Sequence, residues 1–176
     1  MKDNEYIWQP YNDNFRKLYH EEEVKLKNII NSNVFIEHCG STAVPGLGGK
    51  GIIDIIIGSK LNLIPIISKK LQASYYNYKP NKSKRNSLFF QYDYPGIISR
   101  RVHIYLVEVN KEDWISKLVL RNFLVKYNKI TKEYNELKKR VINLVEEDKE
   151  IYQAARKDFL DKLTKQAKEE YGKLIY

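Results

Sequence analysis

Hydrophobic and polar positions along the chain change period several times, and each change marks an element. Over "YNDNFRKLYHEEEVKLKNII", Phe15, Leu18, Tyr19, Leu26, Ile29 and Ile30 recur at helical spacing. The stretch predicts an amphipathic first helix with Asn12 or Asp13 as N-cap, following an extended lead-in. "NVFIEHC" then reads as a strand. A loop built mostly of Gly, Ser, Thr, Ala and Pro follows, expected to be flexible, and leads into "GIIDIII". That run is apolar on both faces except at Asp54, which places it in the middle of a sheet. "NLIPIISKKLQ" predicts a short helix with Pro65 in its first turn, where the missing N–H costs little. "SLFFQYD" and "SRRVHIYLVE", joined through "YPG", predict an antiparallel hairpin.

From Asn110 the pattern becomes helical. Asn110 with Asp113 three residues on resembles a capping box, and "WISKLVLRNFLVKY" is apolar over much of its circumference. Tyr134, Leu137, Val141, Leu144 and Val145 mark a second helix. Tyr152, Ala155, Phe159, Leu163, Ala167 and Tyr171 mark a third. The expected architecture is α+β: a mixed β-sheet flanked by helices over about 11–109 and a helical region over about 110–176, all in one domain.

Composition narrows the picture. The 176 residues, 43% apolar, suffice for a core without metal or disulfide staples. Cys39 is the lone cysteine, so an intrachain disulfide and four-cysteine zinc frameworks are excluded. No run approaches the ~20 apolar residues of a membrane span and the first residues lack a signal-peptide core, so a cytoplasmic protein without a membrane partner is expected. The net charge of +9 favours phosphate-bearing partners. Much of the surplus is Lys alternating with Glu and Asp along helices. The dense cluster "KPNKSKRN" reads as an exposed loop that is either solubilising or phosphate-facing.

Several motifs fail on context. Gly46, Gly48 and Gly51 form a G-x-G-x-x-G match, but a β-run follows instead of the phosphate-binding helix. Lys50 is followed by Gly51, so no Walker loop forms. Ser41 lacks the nucleophile elbow of serine hydrolases. His38 and Cys39 are strand neighbours pointing to opposite faces, and Cys39 reads as a small core residue. What remains is Gly40 and Ser41 at a strand end and a carboxylate on the next strand. Glycine lets backbone amides approach phosphate, hydroxyls add donors, and Asp54 offers a ligand for Mg²⁺.

"IEHCGSTAVPGLGGKGIIDI" resembles the signature of the GrpB-like family of predicted nucleotidyltransferases, E-H-x-G-S-T-[AS]-V-P-G-L followed by Lys-Pro and I-I-D-I. "RVHIYLVE", "WISKLVLRNFL", "YNELK" and "YQAARKDFL" resemble further segments of the same family, so the likeness runs from about Tyr11 to the last helix. It implies a nucleotidyltransferase-like core. It also implies Gly40, Ser41 and Thr42 at phosphate, Lys50 and Arg121 as further phosphate or nucleotide contacts, Asp54 at metal, and His103 beside it. Gly51, Tyr105 and Asn122 depart from the pattern, and Arg156 stands for the terminal Lys.

Nucleotidyltransferases hold two metals with a D-x-D pair, and here the second position is Ile56. Glu37 is the candidate second carboxylate. His103 and Tyr105 share a strand face and Glu108 points away. Lys50 and Arg121 stand between phosphate contact and salt bridging to Asp54 or Glu37. Arg156 and Tyr152 read as helix packing and surface charge, and the tyrosines as mainly core. The expected activity is Mg²⁺-dependent transfer of NMP from an NTP to a hydroxyl of a small molecule or an RNA end, with Asp54, His103 and Glu37 catalytic. The alternatives are a catalytically reduced protein binding a nucleotide or other phosphorylated small molecule, and a basic nucleic-acid-binding protein. Against the last stands the lack of basic motifs interleaved with aromatics.

Overall fold

The computed structural model describes residues 8–95, 100–140 and 146–171, and only the backbone of 146–153 and 155. Val141, Leu144 and Val145 lie outside the described residues, as do the lead-in at 1–7 and Gly96 of the expected turn. Tyr152 and Ala155 fall where only backbone is described.

The elements follow the periodicities closely. Helix α1 (Asn14–Ile30) buries Phe15, Tyr19, Leu26 and Ile30. Asp13 occupies the N-cap without a side-chain bond, and the Asn12 side chain accepts the Asn14 N–H at 2.9 Å instead. Strands β1 (Phe35–Cys39) and β2 (Ile53–Ser59) flank the small-residue loop. Helix α2 (Ile64–Ala73) carries Pro65 at its start. A two-residue strand β3 (Asn77–Tyr78), too short for alternation to reveal, precedes β4 (Ser87–Asp93) and β5 (Arg101–Glu108). Helices α3 (Glu112–Lys126), α4 (Asn128–Arg140) and α5 (Glu146–Tyr171) complete the order. The capping box at Asn110 does not form: Lys111 is the N-cap of α3, and Asn110 takes a left-handed turn conformation (φ 62°).

The five strands make one mixed sheet in the order β1-β2-β5-β4-β3. Strand β2 pairs antiparallel with β1 and parallel with β5, and β5 pairs antiparallel with β4. Ile53, Ile55 and Ile57 of β2 pack with Ile104, Leu106 and Phe90 against α1 and α2. On the opposite face, Ile56 and Val107 meet Trp114 and Leu118 of α3. Residues buried to this degree contribute about 1.5–3 kcal/mol each through apolar burial. Both faces of β2 are therefore covered, as its continuous apolar run requires.

The small-residue loop is pinned, contrary to the flexibility its composition suggests. Val44 and Leu47 are buried in a third cluster with Val119, Phe123, Tyr134 and Leu163 of α3, α4 and α5. Gln9 bridges to Gly49, and the Gly48 N–H donates to the Asn135 side chain at 2.9 Å. The loop is thus the strip along which the C-terminal helices dock on the sheet.

Candidate functional site

Strand register decides which side chains share a surface. Cys39 lies opposite Asp54, and Asp54 opposite His103; Glu37, Ile56 and Tyr105 follow on the same face. Asp54 therefore emerges beside the point where β1 ends. There the chain turns at Gly40 (φ 71°, ψ −168°) into a 3-10 turn over Ser41–Ala43. A Cβ on Gly40 would stand 2.3 Å from Asp54 Oδ2, so only glycine admits the carboxylate under the turn.

His103 Nδ1 is 3.3 Å from Asp54 Oδ1. Its Nε2 is buried with no partner among the described residues, and the ring packs edge-on against Phe89. Burial, with the Asp54 charge and a hydrogen bond to that carboxylate, pushes the Tyr105 phenol far above its ordinary range, so it stays protonated. Lys117 stands over the Tyr105 ring, 3.5 Å from its centroid.

Two adjoining hollows of about 240 and 280 Å³ share Ser41, Asp54, Tyr105, Lys138 and Arg156. The first extends between α3, α4 and α5 past Lys117, Arg121 and several leucines. The second extends over Lys50, Ile52 and His103. Together they have the size and the mixed lining of a small-molecule site. Among the described residues Asp54 is the one carboxylate in either lining, against Lys50, Lys117, Arg121, Lys138 and Arg156.

Lys138 is buried, and its ammonium donates to the Gly48 carbonyl. Burial first, and then the Arg156 charge, pull its amine down to about 7, with Asp54 opposing. Glycine at 49 makes room for this: a Cβ there would stand 2.8 Å from Lys138 Nζ and 2.9 Å from Ser41 Oγ. Arg156 Nε donates to the Tyr134 hydroxyl at 3.2 Å.

The expected site residues divide. Gly40, Ser41, Lys50, Asp54, His103 and Arg121 all border the hollows. Thr42 does not face them. Its side chain is buried, its hydroxyl donates to the Ile52 carbonyl at 3.0 Å, and its lone pair accepts the Nε2–H of His38 at 2.9 Å. His38, stacked on Tyr19, is held neutral by burial, which lowers its imidazole to about 4. Thr42 is thus a clasp between the turn and β1. Glu37 does lie on the Asp54 face, but Arg121 Nη1 holds its carboxylate at 2.7 Å and the His38 carbonyl at 2.8 Å. Arg121 therefore joins α3 to β1 as well as facing the cavity. Cys39 is buried and its thiol is pushed up to about 12, as a core residue's would be. Lys117 and Lys138 carry no motif in the sequence, where Tyr134 marks a helix face and Arg156 reads as packing and surface charge. The available signal was Lys138 itself, a lysine on the buried stripe of α4 with Thr131 and Tyr134.

Mg²⁺ takes oxygen ligands and is commonly held by one or two carboxylates completed by substrate phosphates. No group of three or more His, Cys, Asp or Glu among the described residues is arranged to hold a metal ion. Asp54 fits one such ion shared with a ligand's phosphates, where the ion would neutralise phosphate charge. With Ile56 at the second D-x-D position and Glu37 bound to Arg121, the described donors do not fit a two-metal pair.

Among solved structures, the chain is similar to the conserved protein GrpB from Enterococcus faecalis, with a TM-score of 0.76, 25% identity, and coverage of 94% of this chain and 99% of that one. It is also similar in fold to the Cid1 poly(U) polymerase with Mg 3'-dATP bound, with a TM-score of 0.51, 12% identity, and 75% of this chain against 42% of that one. The core therefore shares its fold with that polymerase. Among curated proteins, the glutamate-rich protein GrpB of Alkalihalophilus pseudofirmus is 26% identical over 163 residues, covering 90% of this chain and 94% of the relative. No described helix is long and apolar enough to cross a membrane. The family model described as GrpB protein matches residues 7–166, and the chain belongs to the GrpB family.

Proposed function

We propose that the paired hollows beside Asp54 hold the phosphate tail of a nucleotide or another phosphorylated small molecule, in a nucleotidyltransferase fold whose metal-binding set is reduced. The observation that carries this reading is the charge of the lining, among the described residues a single carboxylate against lysines and arginines drawn from the loop, α3, α4 and α5. Such a cavity attracts an anion by itself, whereas a two-metal catalytic site depends on clustered carboxylates. The turn at Gly40 brings the Ser41 hydroxyl to the mouth, and Lys138 gains a counter-charge when phosphate enters.

A second reading is NMP transfer to a hydroxyl acceptor, with one Mg²⁺ on Asp54. The Asp54–His103 pair at 3.3 Å favours it, as does the fold likeness to a polymerase described with Mg 3'-dATP. The two readings differ in the sign of one substitution. An NTP panel by thermal shift, in EDTA and in Mg²⁺, is run on wild type and Asp54→Asn. If cations alone hold the phosphates, binding occurs in EDTA and Asp54→Asn strengthens it by removing a repulsive charge. If Asp54 anchors a metal, stabilisation needs Mg²⁺ and Asp54→Asn abolishes it. Transfer of label from an α-labelled NTP to an acceptor decides for catalysis. Absence of any nucleotide- or phosphate-induced shift overturns both readings.

A further inference from the structure

The proposed site leaves one motif unused, the basic cluster after β3. Between Asp54 and Asp93 the chain contains no Asp or Glu. Within that acid-free stretch, Lys60, Lys69 and Lys70 fall on or beside α2, and Lys79, Lys82, Lys84 and Arg85 fall in the loop between β3 and β4. Lys82, Lys84 and Arg85 are exposed, and no salt bridge among the described residues engages them or Lys79. The four cations of the loop follow directly on β3, the edge strand of the sheet.

Aromatic rings adjoin this charge. Tyr75 is 79% exposed on a backbone with φ 80°, a conformation a bulky side chain rarely adopts, and Tyr78 is 36% exposed on the edge strand. Behind Tyr75 lies a hollow of about 410 Å³ walled by Tyr76, Tyr92 and Tyr94, with Asn28 and the Glu22 carboxylate at its polar side. The Tyr92 side belongs to the face opposite Asp54, since Tyr92 pairs with Val102 while Gln91 pairs with His103. The hollow is therefore separate from the Asp54 cavity. No aromatic residue interrupts the basic cluster from Lys79 to Asn86. The edge sets Tyr75 and Tyr78 directly before it.

We propose that the β3 edge, with Tyr75, Tyr78 and the loop cations Lys79, Lys82, Lys84 and Arg85, is a docking surface for single-stranded nucleic acid. Phosphates meet loop cations that no described carboxylate engages, Lys82 standing over the Phe89 ring, and bases stack on the exposed tyrosines, one of them entering the hollow behind Tyr75. The occupant follows from charge and from ring type. An anionic membrane would also attract the cations, but the exposed amides of Asn77, Asn81 and Asn86 stand in the same stretch as the rings and supply the paired donors and acceptors that base edges take. The inference does not rest on the function proposed for the Asp54 cavity.

The test is fluorescence anisotropy of the full chain with a labelled 15-nucleotide adenine RNA, from 50 to 200 mM salt. Four neutralised phosphates on a single strand predict a fall in affinity of about 50-fold across that range. Lys82→Ala/Lys84→Ala/Arg85→Ala, all at exposed positions, flattens the salt slope. Tyr75→Asn keeps a residue type that tolerates the left-handed backbone and weakens binding on the order of tenfold with the slope unchanged. A thermal melt confirms that each variant folds, and competition with baseless heparin separates stacking from charge. The proposal is overturned by RNA binding that is absent at 50 mM salt or unchanged in both variants. It is also overturned if vesicles of phosphatidylserine and phosphatidylcholine are bound while the RNA is not, or if Tyr75→Asn affects heparin and RNA alike.

Discussion

Lys138 offers a sharp test of how the helices meet the sheet. Its amine is held at about 7 by burial and by Arg156, against an ordinary value of 10.5. In the unfolded chain the amine keeps its ordinary value, so between about pH 7 and pH 10.5 the unfolded state binds more protons than the folded one, and stability rises with pH. As pH falls from 10.5 to 7 that contribution is lost, and below 7 the cost of burying the ammonium is complete. A shift of this size corresponds to about 5 kcal/mol across the window, each pH unit being worth about 1.4 kcal/mol. Lys138→Met retains the length and apolar stem of the side chain without the charge. Urea denaturation of wild type and Lys138→Met at unit intervals from pH 6 to 10 isolates the effect, because other groups titrate alike in both proteins. The variant should gain on wild type as pH falls, with the difference flat below 7. Curves that run parallel from pH 6 to 10 would refute the burial argument. Saturating inorganic phosphate or a nucleotide should shrink the difference, since an anion in the cavity supplies the missing counter-charge.

Three further outcomes follow from the geometry. Gly40→Ala must place a Cβ against Asp54 on a left-handed backbone, and should lose about 1–3 kcal/mol by urea denaturation together with any nucleotide-induced thermal shift. Thr42→Val removes the hydroxyl that joins Ile52 to His38, leaving a buried carbonyl and a buried imidazole N–H; a loss of about 1–3 kcal/mol is expected, with the affinity of the folded protein for phosphate little changed. If Thr42 instead touched phosphate, affinity would fall first. Arg121→Met releases the part-exposed Glu37 and strips a donor from the His38 carbonyl, and should cost about 1–2 kcal/mol in denaturation while raising the apparent Kd for phosphate in calorimetry.

Much of the sheet and of the helix order was legible in the chain because those features are local. An apolar run with period two or with no polar face specifies a strand, and "GIIDIII" with its lone acid specifies a strand covered on both sides. The glycine before Ser41 and the carboxylate fourteen residues on were recognisable as a pair from a strand end, a glycine turn and a lone acid in an apolar run, and the family string has the same residues. β3 was not legible, because two residues carry no period. The Asn110 capping box failed because the same residues also satisfy a turn, and which wins depends on where β5 delivers the chain.

The sequence by itself determined which faces of each element are apolar, that Asp54 sits in a covered strand, and that the protein carries a surplus of positive charge. The tertiary structure decided what covers each face. It pinned the glycine-rich loop by burying Val44 and Leu47 among α3, α4 and α5, and set Glu37, the candidate second carboxylate, against Arg121. It also brought Lys117, Lys138 and Arg156 to a carboxylate more than sixty residues away in the chain. The physical reason is that periodicity reports the direction of a side chain relative to its own backbone, whereas charge pairing and burial depend on which distant element is packed opposite.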